Sequence, residues 1–240
     1  MTKTRLDQYL AQHDFVPTRS QAESYIKLGQ VDVNGQTITK PGFMVGDDSR
    51  VEFKAQEQYV SRAALKLASV AKALNIDFSN KVILDVGSST GGFTDYALKH
   101  GALKAICVEV GTDQLHANLR NDPRIELHEQ TDIRNITKLS STVDIVVIDV
   151  SFISLREIIP HILTLIPLGT DIIAMVKPQF EASTANFKHK GVIKNDRIRR
   201  DILKAFEDWV VGRCVVVAKS DSSVTGSKGN KERFYKLRKL

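Results

Sequence analysis

Apolar residues recur along this chain with two different periods, and the change between them divides it into parts. Leu6, Tyr9 and Leu10 fall at i, i+3 and i+4, the spacing of one face of a short helix. Ser20-Gln-Ala-Glu23 has capping-box spacing, and Gly29 stops the helix that it opens. Residues 31–38 then alternate about Asn34-Gly35, which predicts a tight hairpin, and residues 50–53 read as one more strand. Residues 55–60 are polar and without pattern. From Ser61 the run Ala63, Ala64, Leu65, Leu67, Ala68, Val70, Ala71 and Leu74 predicts a helix that is apolar around much of its face and therefore buried.

Beyond residue 80, strand and helix patterns alternate. Strands are predicted at 81–86, 105–109, 125–128, 143–149, 171–177 and 214–218, and helices at 93–100, 113–120, 154–166 and 196–209, with a final basic strand after Glu232. The strands are continuously apolar, so both faces of the sheet are buried, which predicts a parallel α/β sheet with crossover helices. The expected organisation is a small α+β unit at 1–54, a linker at 55–60 and an α/β domain at 61–240.

Composition narrows the class. Apolar residues make up 42% of the 240 and charged residues 26%, which excludes a mostly disordered chain. The two cysteines, Cys107 and Cys214, sit in apolar strand-like runs, so neither a disulfide framework nor a cysteine-rich metal site is expected. No run approaches the ~18 unbroken apolar residues of a membrane span, and the first residues lack a signal-peptide pattern. These features lead to the expectation of a cytoplasmic protein with no membrane partner.

The net charge of +6 is unevenly placed. Residues 1–54 are neutral overall, whereas residues 181–240 carry 15 basic and 7 acidic groups. The excess comes from Lys188, Lys190, Lys194, Arg197, Arg199 and Arg200, then Lys228, Lys231, Arg233, Lys236, Arg238 and Lys239. Such a cluster is either a polyanion-binding edge or a solvated helix face followed by a frayed tail.

In parallel sheets ligands sit outside the carboxyl ends of the strands, which selects Asp85 to Gly92, Glu109, Asp132, Asp149 and Lys177. The loop Asp85-Val-Gly87-Ser88-Ser89-Thr90-Gly91-Gly92 matches neither G-x-G-x-x-G nor a phosphate-binding P-loop, so a nicotinamide dehydrogenase is disfavoured. It suits a zwitterionic, cationic ligand. Asp85 can take an ammonium, Gly87 allows close approach, and the helix N-terminus after Gly92 can receive a carboxylate. Glu109 is placed for the hydroxyls of a ribose. Asp132 is placed either for an adenine amino group or as a helix N-cap. Amino acid, ribose and adenine together describe S-adenosylmethionine.

Two resemblances join these readings. Arg5-Leu6-Asp7, Thr18-Arg19-Ser20-Gln21-Ala22 with Ile26 and Gly29, residues 31–35, and Lys40-Pro41-Gly42 resemble the S4-type RNA-binding domain. That resemblance implies structured-RNA binding, with Arg5, Arg19, Ser20, Lys27 and Lys40 as candidate backbone contacts. Lys66, Asp149, Lys177 and Glu232 resemble, in order and strand position, the Lys-Asp-Lys-Glu tetrad of FtsJ-like ribose 2′-O-methyltransferases.

Over nearly its whole length the chain is similar to the TlyA (hemolysin A-like) ribosomal RNA methyltransferase family. The segments that carry this similarity are Ser61-Arg62 with Lys66-Leu67, residues 85–95, Asp149-Val-Ser-Phe152, Lys177-Pro-Gln-Phe-Glu181 and residues 226–232. Glu109 stands where an aspartate is common in that class, and it keeps the carboxylate. The resemblance implies a Rossmann-like class I S-adenosylmethionine-dependent methyltransferase domain behind a small α+β RNA-binding domain. It also implies methylation of ribose 2′-hydroxyls in small-subunit, and for some members large-subunit, ribosomal RNA. Lys177 is then the candidate general base, Asp149 its orienting partner, and Glu232 a partner of Lys66 or of the substrate hydroxyl. An alternative in which both lysines stay charged and steady a developing alkoxide is open. The competing functions are a pore-forming cytolysin and a non-catalytic RNA-binding assembly factor. No metal is called for, and the sequence leaves oligomeric state and target nucleotide undetermined.

Overall fold

The computed structural model describes residues 3–55, 58–182, 191–226 and 229–240. Linker residues Gln56 and Glu57, and Lys188, Lys190 and Lys228 of the basic set, lie outside the described residues.

The N-terminal unit packs helices α1 (Leu6–Gln12) and α2 (Arg19–Lys27) on a three-stranded antiparallel sheet of β2 (Val31–Val33), β3 (Gln36–Thr37) and β5 (Val51–Phe53). A separate pair joins β1 (Thr4–Arg5) to β4 (Met44–Val45). Asn34 and Gly35 both have positive φ (52° and 79°), the backbone that a two-residue hairpin turn requires. The cap of α2 is displaced from the predicted position: Thr18 Oγ1, not Ser20, accepts the Gln21 N–H at 3.2 Å. Thr18-Arg-Ser-Gln21 has capping-box spacing too, and it lies directly after Pro17. Leu6, Leu10, Ala22, Ile26, Val31 and Val33 fill the core of this unit.

Helix α3 (Arg62–Ala71) follows, with Ala64, Leu65, Lys66, Leu67 and Val70 buried. The rest of the chain builds a seven-stranded sheet from β6 (Val82–Val86), β7 (Lys104–Val108), β8 (Ile125–His128), β9 (Ile145–Ile148), β10 (Asp171–Val176), β11 (Cys214–Asp221) and β12 (Arg233–Lys239). The order is β11-β12-β10-β9-β6-β7-β8. Successive residues alternate between two cores. Leu84, Val86, Ile106, Val108, Val146 and Ile148 face one side, while Ile83, Ala105, Cys107, Ile145 and Val147 face the other. Helices α3 and α4 (Gly92–Lys99) cover the second face, and α6 (Leu155–Leu165) and α8 (Asp196–Val210) the first.

The sheet is not wholly parallel. β12 runs antiparallel between β10 and β11. A parallel neighbour would need a crossover of a dozen or more residues, usually a helix, and the short stretch between β11 and β12 holds none among its described residues. The final basic segment is therefore an internal strand, not a frayed tail, and its cations are largely engaged. Arg233 pairs with Asp221, and Lys236 and Arg238 pair with Asp171. Arg199 of α8 also pairs with Asp221. β11 forms a sheet edge and carries a bulge between Val216 and Ala218.

Two further departures bear on the ligand end of the sheet. The helix predicted at 113–120 is only α5 (Ala117–Arg120), because Asp113 takes positive φ (55°) and the chain before it forms a loop. A short helix α7 (Pro178–Glu181) directly follows β10, with proline at its first turn. The buried Glu181 carboxylate accepts Ser154 O–H at 2.6 Å and Leu155 N–H at 2.7 Å, holding the start of α6, and burial pushes its pKa up.

Gly92 lets α4 lie directly on the start of α3. A Cβ there would meet Ser61 Oγ and come within 2.8 Å of Ala63 Cβ and 3.0 Å of Ala64 N. Gly92→Ala should therefore destabilise the fold by about 1–3 kcal/mol through overpacking, which a lowered melting temperature in thermal denaturation would register.

Candidate active site

The carboxyl ends of β6, β7 and β9 open on a cleft of about 450 Å³, a size typical of small-molecule sites. Its wall includes Gly87, Ser89, Glu109, Val110, Gln114, Thr131, Asp132 and Ile133, together with Asp149, Ser151, Phe152 and Ile153. Gly87 has positive φ (81°), and a Cβ on it would lie 2.8 Å from Asp149 O, so only glycine lets these two strand ends meet.

The glycine loop divides by role. Gly87 and Ser89 reach the cleft. Asp85 and Ser88 lie buried beneath it, and Asp85 Oδ1 and Ser88 Oγ have no hydrogen-bond partner among the described residues. Thr90 is exposed, and its carbonyl accepts His116 N–H at 3.2 Å. Gly91 and Gly92 are packing positions: a Cβ on Gly91 would run into Leu115 and Leu119. The N-terminus of α4 is also partly engaged, because Thr94 donates its N–H (3.1 Å) and its hydroxyl (2.7 Å) to Asp85 Oδ2. Burial away from water, reinforced by the charges of Asp149 and Glu109 against the Thr94 hydrogen bonds, pushes Asp85 up to about 7.

Glu109 follows β7 and accepts Ser89 N–H on one oxygen and Gly111 N–H on the other, both at 2.8 Å. These bonds fix the carboxylate at the cleft wall. Asp132 caps the turn Ile133–Asn135 and pairs with Arg134 at 2.6 Å. Capping thus occupies its carboxylate, although the residue does line the cleft.

Strand register brings two residues of the predicted tetrad together, and ion pairs join the other two to them. β10 and β12 pair up to Val176 opposite Arg233, so Lys177 and Glu232 stand opposite each other one step beyond the ladder. Lys177 Nζ lies 2.6 Å from Asp149 Oδ1 and donates to Ser151 Oγ at 2.8 Å. Lys66 Nζ, from α3, lies 2.6 Å from Glu232 Oε2. All four side chains are largely buried, where an ion pair is far less screened than at a surface.

Two neighbours lie within the Asp149–Phe152 segment, where the sequence alone assigns them no role. Ser151 holds Lys177. Phe152, beside it, is 90% exposed and has φ 68°, a costly conformation for an aromatic residue. Its ring lies 5.3 Å from that of Phe180, which Lys177 Nζ in turn approaches to 6.0 Å. An aromatic side chain signals a core in sequence; here it stands out at the mouth of the cleft.

The candidate RNA contacts separate as well. Arg5 and Arg19 both bond to the buried Asp7 carboxylate, at 2.8 and 3.0 Å. Burial alone would raise that carboxyl, yet the two guanidiniums hold it below its usual range. Both arginines keep exposed surface and are fixed in direction. Ser20 and Lys27 instead face the larger domain. Ser20 Oγ accepts from Arg62 at 2.9 Å, and Lys27 Nζ donates to Thr225 Oγ1 at 3.4 Å. Lys40 is exposed.

Residues 59–239 match the model of the FtsJ-like methyltransferase family, and residues 4–51 match the S4 domain. The chain is 35% identical over 242 residues to the 16S/23S rRNA (cytidine-2'-O)-methyltransferase TlyA of Mycobacterium tuberculosis, covering 98% of this chain and 90% of that protein. It is 37% identical over 232 residues to Hemolysin A of Brachyspira hyodysenteriae, covering 95% and 97%. A solved structure from Streptococcus thermophilus that carries a hemolysin name superposes with a TM-score of 0.71 at 33% identity, covering 100% of this chain and 90% of that one.

Asp85 gives the site a pH dependence that can be tested without a ligand. The folded chain keeps a proton that the unfolded chain releases near 3.8, so stability falls as pH rises from there through about 7. Asp85→Asn retains an acceptor for Thr94 and should flatten this decline, a difference on the order of 4 kcal/mol at most. Melting temperatures of both proteins across that range measure it, and parallel curves would contradict it.

Proposed function

The chain belongs to the FtsJ-like methyltransferase family, and from that premise we propose that it transfers a methyl group from S-adenosylmethionine to ribose 2′-hydroxyls of ribosomal RNA. The observation that carries the reading is the convergence of two short ion pairs, Lys177–Asp149 and Lys66–Glu232, at the strand ends beside the cleft.

The residues present fit the methyl donor. Buried Asp85 Oδ1 and Ser88 Oγ offer unspent polar atoms under the loop, Gly87 and Ser89 offer close backbone approach, and Glu109 offers a fixed carboxylate for a ribose. Val110 and Ile133 supply apolar cleft wall on the base side. S-adenosylmethionine supplies an activated methyl group, so the protein needs chiefly to align the acceptor and remove one proton. Lys177 Nζ is assigned that proton once its ammonium has released one to solvent and presents a lone pair, with Asp149 and Ser151 fixing its direction. Lys66, held by Glu232, contributes positive charge beside the acceptor oxygen as negative charge grows there.

On the acceptor side, the exposed Phe152 ring offers an unpaired base a stacking face, and the oriented Arg5 and Arg19 of the S4 domain offer phosphate contacts. A 2′-hydroxyl exists only in RNA, which selects against DNA. The proposed place of action is the cytoplasm, with ribosomal subunits or their RNA as partner. A lytic reading attaches to the hemolysin names of some similar proteins; among the described residues no helix is long and apolar enough to cross a membrane.

Incubation with labelled S-adenosylmethionine and separated ribosomal subunits should place label on RNA, at a ribose 2′ position of a mappable nucleotide. Label on a base, or none on either subunit, would reject the reading. Lys177→Ala should abolish transfer while retaining donor binding by calorimetry; lost donor affinity with transfer merely slowed would reject its role as base.

A further inference from the structure

Two buried apolar side chains of the larger domain belong to the core of the N-terminal unit. Leu65 and Val224, each 2% exposed, lie in one cluster with Leu6, Leu10, Ile26 and Val31. Each precedes a member of the Lys66–Glu232 pair in the chain. Leu65 immediately precedes Lys66 in α3, and Val224 begins the turn that leads to Glu232.

The described residues around that turn are held on several sides. Ser222 Oγ donates to Val224 O at 2.7 Å and accepts Val224 N–H at 3.1 Å. Ser223 N–H donates to Ser69 Oγ of α3 at 3.3 Å. Thr225 accepts from Lys27 of α2 at 3.4 Å. Gly226 N–H donates to Asn230 O at 3.0 Å, and a Cβ on Gly226 would stand 2.8 Å from Glu232 Oε1, so the turn rests against the carboxylate. On the far side Arg199 of α8 donates to Lys231 O at 3.1 Å.

We propose that Leu65 and Val224 are positioning residues through which the docked S4 domain sets the geometry of the Lys66–Glu232 pair. The domain that holds RNA thereby also holds half of the reacting set in register. This inference rests on the ribose-methylation reading, in which that pair serves the reaction. Packed side chains move as units, and a displacement of about 1 Å in reacting groups can cost on the order of 100-fold in rate.

The test uses the full chain, with labelled methyl transfer into the responsive ribosomal subunit. Val224→Ala shortens the contact and should lower kcat on the order of tenfold while the KM for RNA stays within about twofold. Donor affinity by calorimetry should be unchanged, and Val224→Ile should restore most of kcat. A raised KM with kcat intact would overturn the proposal, because the contact would then serve only to dock the RNA-binding domain; an unchanged kcat would overturn it equally. Should Val224→Ala lose its melting transition, Leu65→Val, which trims the other contact, is judged by the same kcat and KM criteria. Glu232→Gln, assayed in parallel, separates the two failures. Full activity in Glu232→Gln removes the pair from the reaction, whereas activity lost in Glu232→Gln but kept in Val224→Ala removes only the coupling.

Discussion

The antiparallel pairing of β12 with β10 is the constraint on which the site depends. Val176 and Arg233 close the ladder, and the next residue on each strand is a member of the tetrad. Were β12 parallel, its carboxyl end would point toward the cleft, and Glu232, at its start, would lie at the opposite edge of the sheet. The ion pairs of Arg233, Lys236 and Arg238 with Asp221 and Asp171 tie this strand to both neighbours. Much of the charge excess of the C-terminal quarter is thus used within the sheet, which leaves exposed residues such as Lys194, Arg197, Arg200 and Lys231 as its solvent-facing part.

Burial organises the donor side. Asp85 sits under its loop with one oxygen satisfied by Thr94 and the other left over. Two further carboxylates, Asp149 and Glu109, add negative charge around it. A cationic ligand would relieve this accumulation, whereas a phosphate would add to it, and the glycine spacing points the same way. Glu109 by contrast accepts one backbone N–H on each oxygen, so its orientation is set before any ligand arrives while each oxygen keeps acceptor capacity.

Much of this was legible in the sequence because strands buried on both faces write continuous apolar runs, and the strand ends then select the chemistry. The sense of β12 was not legible, since an apolar-basic segment reads alike in either direction. The cap of α2 was misplaced because two overlapping capping patterns compete and only tertiary contacts decide; Ser20 turns to Arg62 instead. Gly91 and Gly92 looked like ligand-loop glycines, yet their neighbours are Leu115, Leu119, Ser61 and Ala63. Ser151 and Phe152 fell within the segment that carries the family resemblance but drew no role, because an aromatic residue and a serine beside a strand end are common in any fold. Val224 was hidden for another reason: nothing local marks an apolar residue whose partners lie nearly two hundred positions earlier.

The bulge in β11 has a consequence for how copies of this protein meet. An edge strand of eight residues presents unpaired N–H and C=O groups to any neighbouring chain, and Val215 and Val217 add apolar surface beside them. The extra residue between Val216 and Ala218 breaks the even spacing that a new strand would need in order to bond along the rim. Lys219, paired with Glu207, puts charge at the same border. The sheet therefore ends where it does, and crowded molecules are discouraged from adding to one another as continuous ribbons.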